Sequence, residues 1–520
     1  MAISSIVGVL TSESFHLLPA AIVTLIAYTV VIYIYRIWFS PLSSIPGPKL
    51  AAATRWYEFY YDAIKMGRYY EEIERMHKVY GPVVRINPYE VHIDDPAFFN
   101  EQYNVTNRLY KDPWFYSWLN RDGSIFATID PDQHKLRSTV IKKAFSVQSI
   151  SRIESVLKGH FRDFFDRIEE CGKKKELVPL SAAFRSIAVD IVTDLALPES
   201  MNLVQSPDFG TQHSNFMRDI TELALWNRHF YYVLSIMQSM PRWVAGLQGK
   251  TALDIVDALE DQKRQARRVI ENQGKPISSK DYPVIMNEVY KSEDLPPHEK
   301  THKRLFEEMA ILIGAGSETT GHSLITTAYH ILDNPDVLKR LKKEIRDYIS
   351  DEELRDVLSY KQLENLPYLN ACIMEGLRLA TGVSGRLPRI NKSQPTTYHS
   401  PTTSTTYLIP AGYAVSMTIR DLHYNAKNFP DPWTFKPERF LGAEKTMSEK
   451  HFAAFGRGAR SCVGRNLAMA EIFMGIGNLF AKFDVRLAEG VERIDVEAKH
   501  DCFAPFVARG RKGLVIEVLS

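Results

Sequence analysis

Cysteine is scarce in this chain: only four occur among 520 residues, Cys171, Cys372, Cys462 and Cys502. No two are close enough in sequence for zinc-site spacing or a secreted disulfide framework, so they read as thiols of a reducing compartment. An excess of one charge sign is also lacking. The 64 basic residues nearly balance the 62 acidic ones, leaving a net charge of +2. That removes the electrostatic basis for wrapping a polyanion, and nucleic-acid binding is excluded as a main role. Internal repeats and long low-complexity tracts are absent, and after about residue 49 the one linker-like stretch is the Ser/Thr-rich run Ser393 to Thr406. With 45% hydrophobic and 24% charged residues, the remainder reads as one large domain with a sizeable core.

Positive charge is missing from residues 1–16 as well, which bears on how the apolar run after them is read. Leu17 to Tyr35 carries no charge and approaches the roughly 20 residues that span a bilayer. A cleaved signal peptide needs basic residues before its apolar run, and none are present. Basic residues begin at Arg36, so residues 1–16 are expected to be lumenal, 17–39 a transmembrane anchor, and everything after Arg36 cytosolic. Tyr33, Tyr35 and Trp38 suit the interfacial belt. Pro41, Pro46, Gly47 and Pro48 make residues 40–48 a stiff, non-helical connector to a domain over 49–520.

Within that domain helical periodicity dominates, over Arg152–Glu170, Ala252–Asn272, Leu305–Leu332, Leu338–Tyr348, Tyr368–Leu379 and Asn466–Phe483. Short β-prone runs at Val83–Ile86, Val91–Ile93, Tyr407–Ile409 and Leu514–Leu519 add a small β region. The fold class is mainly α.

The most informative stretch runs from Phe455 to Gly464, Phe-Gly-Arg-Gly-Ala-Arg-Ser-Cys-Val-Gly, followed by an apolar segment. Cys462 stands just before a helix start, where free N–H groups and the helix dipole favour thiolate. Glycines at 456, 458 and 464 allow close backbone approach, and Phe455 can shield the sulfur. The pattern Phe-x-x-Gly-x-Arg-x-Cys-x-Gly resembles the haem-binding signature of the cytochrome P-450 superfamily, and the likeness extends over essentially the whole chain after the anchor. The resemblance implies that 49–520 is a haem-thiolate catalytic domain carrying haem b, with Cys462 as proximal iron ligand and Phe455 and Arg460 beside the cofactor. A thiolate on haem iron favours O–O cleavage.

Two further constellations join it. Glu375 and Arg378 lie at i,i+3 spacing opposite an apolar face, which by periodicity alone is a solvated pair. Together with Arg439 of Pro437-Glu438-Arg439-Phe440, they resemble the family's Glu–Arg–Arg network, which locks the cysteine loop against the helical core. The segment Gly314-Ala315-Gly316-Ser317-Glu318-Thr319-Thr320 resembles the oxygen-activating motif. There Thr319 and Glu318 relay protons, and the two glycines relax the helix to leave room for dioxygen. By itself, a mid-helix Thr back-bonds to the preceding turn.

For the haem propionates the resemblance offers His134, where many relatives carry Trp, together with Arg137 and Arg389. Lys135, Arg137, Lys142, Lys143, Lys436, Arg457 and Arg465 suit an acidic redox partner on the thiolate side. The implied partner is NADPH-cytochrome P-450 reductase, because this sequence has no Gly-rich dinucleotide fingerprint. The implied location is the endoplasmic reticulum membrane, and the co-substrate is dioxygen. The substrate pocket is assigned to Trp114, Phe115, Ile311, Ala315, Val383, Ser384 and Phe503, with Ser384 or Arg386 orienting a polar group of a hydrophobic small molecule. Segments around Gly382–Arg389 and His500–Phe503 resemble the fungal biosynthetic branch, including trichodiene-oxygenase-like members that act on terpenoids. A haem-thiolate isomerase or dehydratase that needs no external electrons, and a non-enzymatic haem protein, remain as alternatives.

Overall fold

The computed structural model describes residues 19–275, 280–401 and 403–519. Residues 1–16, expected to be lumenal, and the first two positions of the expected anchor lie outside the described residues. Pro19–Phe39 forms one apolar helix of 21 residues, long enough to cross a membrane and with none of its span buried. Its base is tied to the domain: Arg36 Nη1 donates to Ala53 O at 2.9 Å, and Arg85 Nη1 donates to Arg36 O at 2.8 Å. The connector is non-helical and packs closely. Leu42 and Ile45 are buried, Arg85 N donates to Pro46 O, and a Cβ on Gly47 would overlap Arg85 O.

Each of the six periodic segments is helical, and each of the four β-prone runs contains a strand. The 31-residue helix His302–Leu332 is the axis of the molecule. It packs against Leu180–Ala196, Pro367–Ala380, Lys250–Glu271 and Arg465–Lys482. Leu180–Ala196 has no amphipathic signal because nearly every residue in it is buried. Pro131–Ala144, also absent from the periodic pattern, is started by Asp130, whose carboxylate accepts the N–H groups of Asp132 and Gln133, with Pro131 at the first helical position.

A five-stranded sheet runs in the order Val83–Asn87, Glu90–Ile93, Ala414–Ser416, Arg389–Ile390, Tyr110–Lys111. It is antiparallel except between the second and third strands. Its last pairing sets Lys111 directly opposite Arg389. The Ser/Thr-rich stretch is a hairpin, Thr396–His399 against Thr406–Ile409, rather than a linker.

Candidate active site

The cysteine loop is closed by its own backbone: Cys462 N donates to Phe455 O at 2.9 Å, Gly456 N to Ala453 O, and Ser461 N to Gly458 O. Two of its glycines are demanded by geometry. Gly456 and Gly458 have positive φ, and a Cβ on Gly458 would overlap the Tyr103 carbonyl. Gly464 has negative φ and open space around it, so neither strain nor close approach demands glycine there.

The helix starts at Arg465, as expected, but the thiol does not ionise more easily for it. Burial raises the Cys462 pKa above its ordinary value, and the Gly464 N–H and the Arg465 charge only partly offset this. A cationic partner at the sulfur, such as an iron ion, would favour its thiolate form. Cys462 sits deep in the protein yet is accessible, because it lines the main cavity.

Glu375 and Arg378 are both 0% exposed, so the solvated pair suggested by periodicity is overturned. Arg378 holds both carboxylate oxygens, at 2.7 and 2.8 Å, and Arg439 Nε donates to Glu375 Oε1 at 3.2 Å, as does Lys436 N at 3.0 Å. Helical periodicity missed this because Arg378 and Arg439 lean on carbonyls distant in sequence, His423 O at the end of the short helix Ile419–His423 and Asp431 O in a loop. His423, which sequence reasoning did not single out, carries the lock to the loop. Its Nδ1 bonds to Arg378 O at 3.1 Å and its Nε2 accepts from Ala453 N at 2.9 Å. That pattern requires the neutral ring with its proton on Nδ1, and burial holds the imidazole down at about 3.

On the long helix, Ala315 and Thr319 face the cavity, and Thr319 Oγ1 donates to Ala315 O at 2.7 Å. Glu318 also lines it and is paired with Arg185 Nε at 3.0 Å. Of the two glycines expected to relax this helix, Gly316 instead admits Val192 of Leu180–Ala196, while Gly314 faces Met217 across ordinary contact distance.

The cavity, about 380 Å³, is largely apolar. Near the cysteine loop it meets Lys111, Arg389 and Arg460. Lys111 and Arg389 face each other across the sheet, an arrangement of like charges that is unfavourable without an anion between them. Burial holds the Lys111 ammonium well below its usual range and brings Arg460 down to about 10. A ligand presenting carboxylates here would relieve both, so the residues fit a haem with its propionates at this end and its iron toward Cys462. Lys111 is identified only through strand pairing, which no local pattern in the sequence encodes. His134 is buried next to this cluster, its pKa pushed down to about 2 by burial first and then by Arg460 and Lys111.

Arg137 is not part of the cluster. Its guanidinium grips Glu299 through Nε and Nη2, at 2.7 and 3.0 Å, and Thr128 through Nη1, leaving it neither at the cavity nor in solvent. Arg386 is likewise engaged, by buried Glu58 and Glu90. Of the expected pocket residues, Ile311, Ala315, Val383 and Phe503 line the cavity together with Phe455. Trp114, Phe115 and Ser384 do not. Trp114 stacks on Arg55, Phe115 packs beneath Arg228 and Arg386, and Ser384 Oγ is spent on Asp501. Aromatic character marked the first two, but it serves cation–π packing here.

Comparison with known proteins agrees with this geometry. The family model described as Cytochrome P450 matches residues 53–509. Among curated relatives, the N-acetyltryptophan 6-hydroxylase ivoC of Emericella nidulans is 34% identical over 510 residues, spanning 97% of this chain and 98% of the relative. The tryptophan 6-hydroxylase fscE of Fusarium equiseti is 33% identical over 488 residues, with 93% and 94% covered. The conidiogenone synthase PchP450 of Penicillium rubens is 33% identical over 457 residues, with 87% and 89% covered. The chain therefore belongs to the cytochrome P450 family and is an oxidoreductase of its monooxygenase class.

Proposed function

We propose that this protein is a membrane-anchored monooxygenase that inserts one oxygen atom of dioxygen, by hydroxylation or epoxidation, into a hydrophobic small molecule. The substrate is a terpenoid or other secondary-metabolite intermediate, and the electrons come from NADPH through a P-450 reductase. Residues 17–39 anchor the chain in the endoplasmic reticulum membrane, and 49–520 form the cytosolic catalytic domain. The observation that carries this reading is that Cys462, Ala315, Thr319 and the cationic pair Lys111–Arg389 line one apolar cavity.

Haem b bound there, ligated by Cys462, supplies the oxygen-activating chemistry that a thiolate ligand promotes. Arg389, Lys111 and Arg460 hold its propionates, with His134 beside them, and Phe455 shields the sulfur. The Glu375–Arg378–Arg439 network, extended by His423, keeps the loop in register. Thr319 presents its hydroxyl at the cavity face to hand on a proton, and Glu318 resupplies it once its carboxylate swings away from Arg185. Exposed Lys135, Lys142, Lys143, Lys436 and Arg465 receive the acidic reductase. Buried Arg137 and half-buried Arg457 are left out of that surface.

The test is reconstitution with reductase under isotopically labelled dioxygen, using a panel of terpenoid and indole substrates. One labelled oxygen atom per product, strictly dependent on NADPH, is expected. Product formed without NADPH and without label would instead establish the isomerase or dehydratase alternative.

A further inference from the structure

The cavity has a second cationic feature, beside the start of the long helix. Arg121 lines it and is only 8% exposed. Its guanidinium lies over the Phe306 ring, 4.9 Å from the centroid, and makes one hydrogen bond, Nη1 to Asn120 O at 3.2 Å. Among the described residues, Nε and Nη2 have no acceptor, and no carboxylate comes within ion-pair distance. Glu307, the acid that acts on it most, is occupied by Gly123 N at 2.5 Å and by Lys303 at 3.7 Å.

The backbone around Arg121 is fixed from several sides. Fully buried Asn227 donates to both Trp118 O and Asn120 Oδ1, at 2.9 and 3.0 Å. Arg121 O accepts from the Ser124 hydroxyl at 2.7 Å, and Ile125 N donates to Glu308 at 3.0 Å. On the same stretch, the indole N–H of Trp118 is buried, with no acceptor among the described residues, in a residue that also lines the cavity. A rigidly mounted, unpaired guanidinium in an apolar cavity cannot shed its proton, and its planar fork matches a carboxylate.

We infer that Arg121 is a specificity-determining residue that binds a carboxylate at the end of the substrate remote from the oxidised carbon. Phe306, on which it rests, lies roughly 20 Å of helix rise before Thr319, so the substrate is elongated, with an apolar body between its acid and the carbon attacked. The identity of the oxidised end rests on the monooxygenase reading above; the acid preference itself does not.

The experiment uses the full-length, haem-loaded chain in detergent and a series of ω-phenylalkanoic acids of increasing length beside their methyl esters. Binding is read by titration calorimetry and by the substrate-induced change in the haem spectrum. Acids are expected to bind on the order of 10- to 100-fold more tightly than their esters. Arg121→Gln should erase that difference, and Arg121→Lys should restore part of it. Equal binding of acids and esters, no binding of any acid, or an unchanged preference in Arg121→Gln would each overturn the inference. The acid–ester comparison in the unmodified chain stands even if a variant misfolds. Failure of the monooxygenase reading shows separately, as loss of the thiolate-type carbon monoxide band while calorimetry still reports the acid preference.

Discussion

At the scale of single residues, the chemistry depends on side chains whose ordinary behaviour the fold has changed. Burial pushes the Cys462 thiol above its ordinary pKa, and His423 is held neutral between two backbone groups. An unfolded histidine takes up a proton near pH 6.5, whereas His423 resists until about 3, chiefly through burial and secondarily through Arg378. The unfolded state therefore binds the extra proton between those values. The stability this group contributes is complete above pH 6.5 and is lost as pH falls through the window. His423→Gln should flatten that dependence by about 1.4 kcal/mol per pH unit, measured by denaturant midpoints at pH 7, 6 and 5. Thr319, proposed to hand on a proton, is expected to affect the reaction rather than stability. Its hydroxyl faces the cavity, so Thr319→Ala should retain haem while NADPH consumption uncouples from product, as measured by the peroxide released per NADPH oxidised.

At the scale of elements, the decisive contacts lie where helices come unusually close. Gly376 lets the Pro367–Ala380 helix approach the central one, and an added Cβ would overlap Thr327 Oγ1. Gly376→Ala should lower stability by about 1–3 kcal/mol, seen in thermal unfolding, with Thr327→Ala in the same chain recovering part of the loss. Removing a network partner costs more, because it strands a buried charge: Glu375→Ala should lose about 3–5 kcal/mol and yield little haem-loaded protein. Normal haem content in that variant would contradict the lock. These elements also mark the limit of what sequence conveys. The long helices and short strands were legible from period and turn residues, and the cysteine loop from its pattern. The burial of Glu375 was not legible from period and came only through the family likeness of the Glu375–Arg378–Arg439 set, since its shielding comes from residues 423–436. Leu180–Ala196 was missed because a helix buried all round has no polar face to reveal its period. Arg137 and Arg386 were misassigned for one shared reason: each finds its carboxylate in a segment distant in sequence, Glu299 or Glu58 and Glu90.

At the scale of the whole molecule, one domain presents an apolar helix at one end and encloses an apolar cavity at its centre. The lysines left exposed on the Pro131–Ala144 helix set the expected salt response. Turnover with reductase should fall as ionic strength rises, because steering between exposed charges is screened within about 8–10 Å at physiological salt; rates indifferent to salt would remove the steering surface. The oxygen-activating, proton-relay and reductase-docking roles all depend on the sulfur of Cys462 facing iron. The measurement that tests this most directly is the reduced carbon monoxide difference spectrum of the purified chain, recorded beside Cys462→Ala. A band of the thiolate-ligated type that disappears in the variant is the expected result, and a band of the histidine-ligated type in the unmodified chain would contradict it.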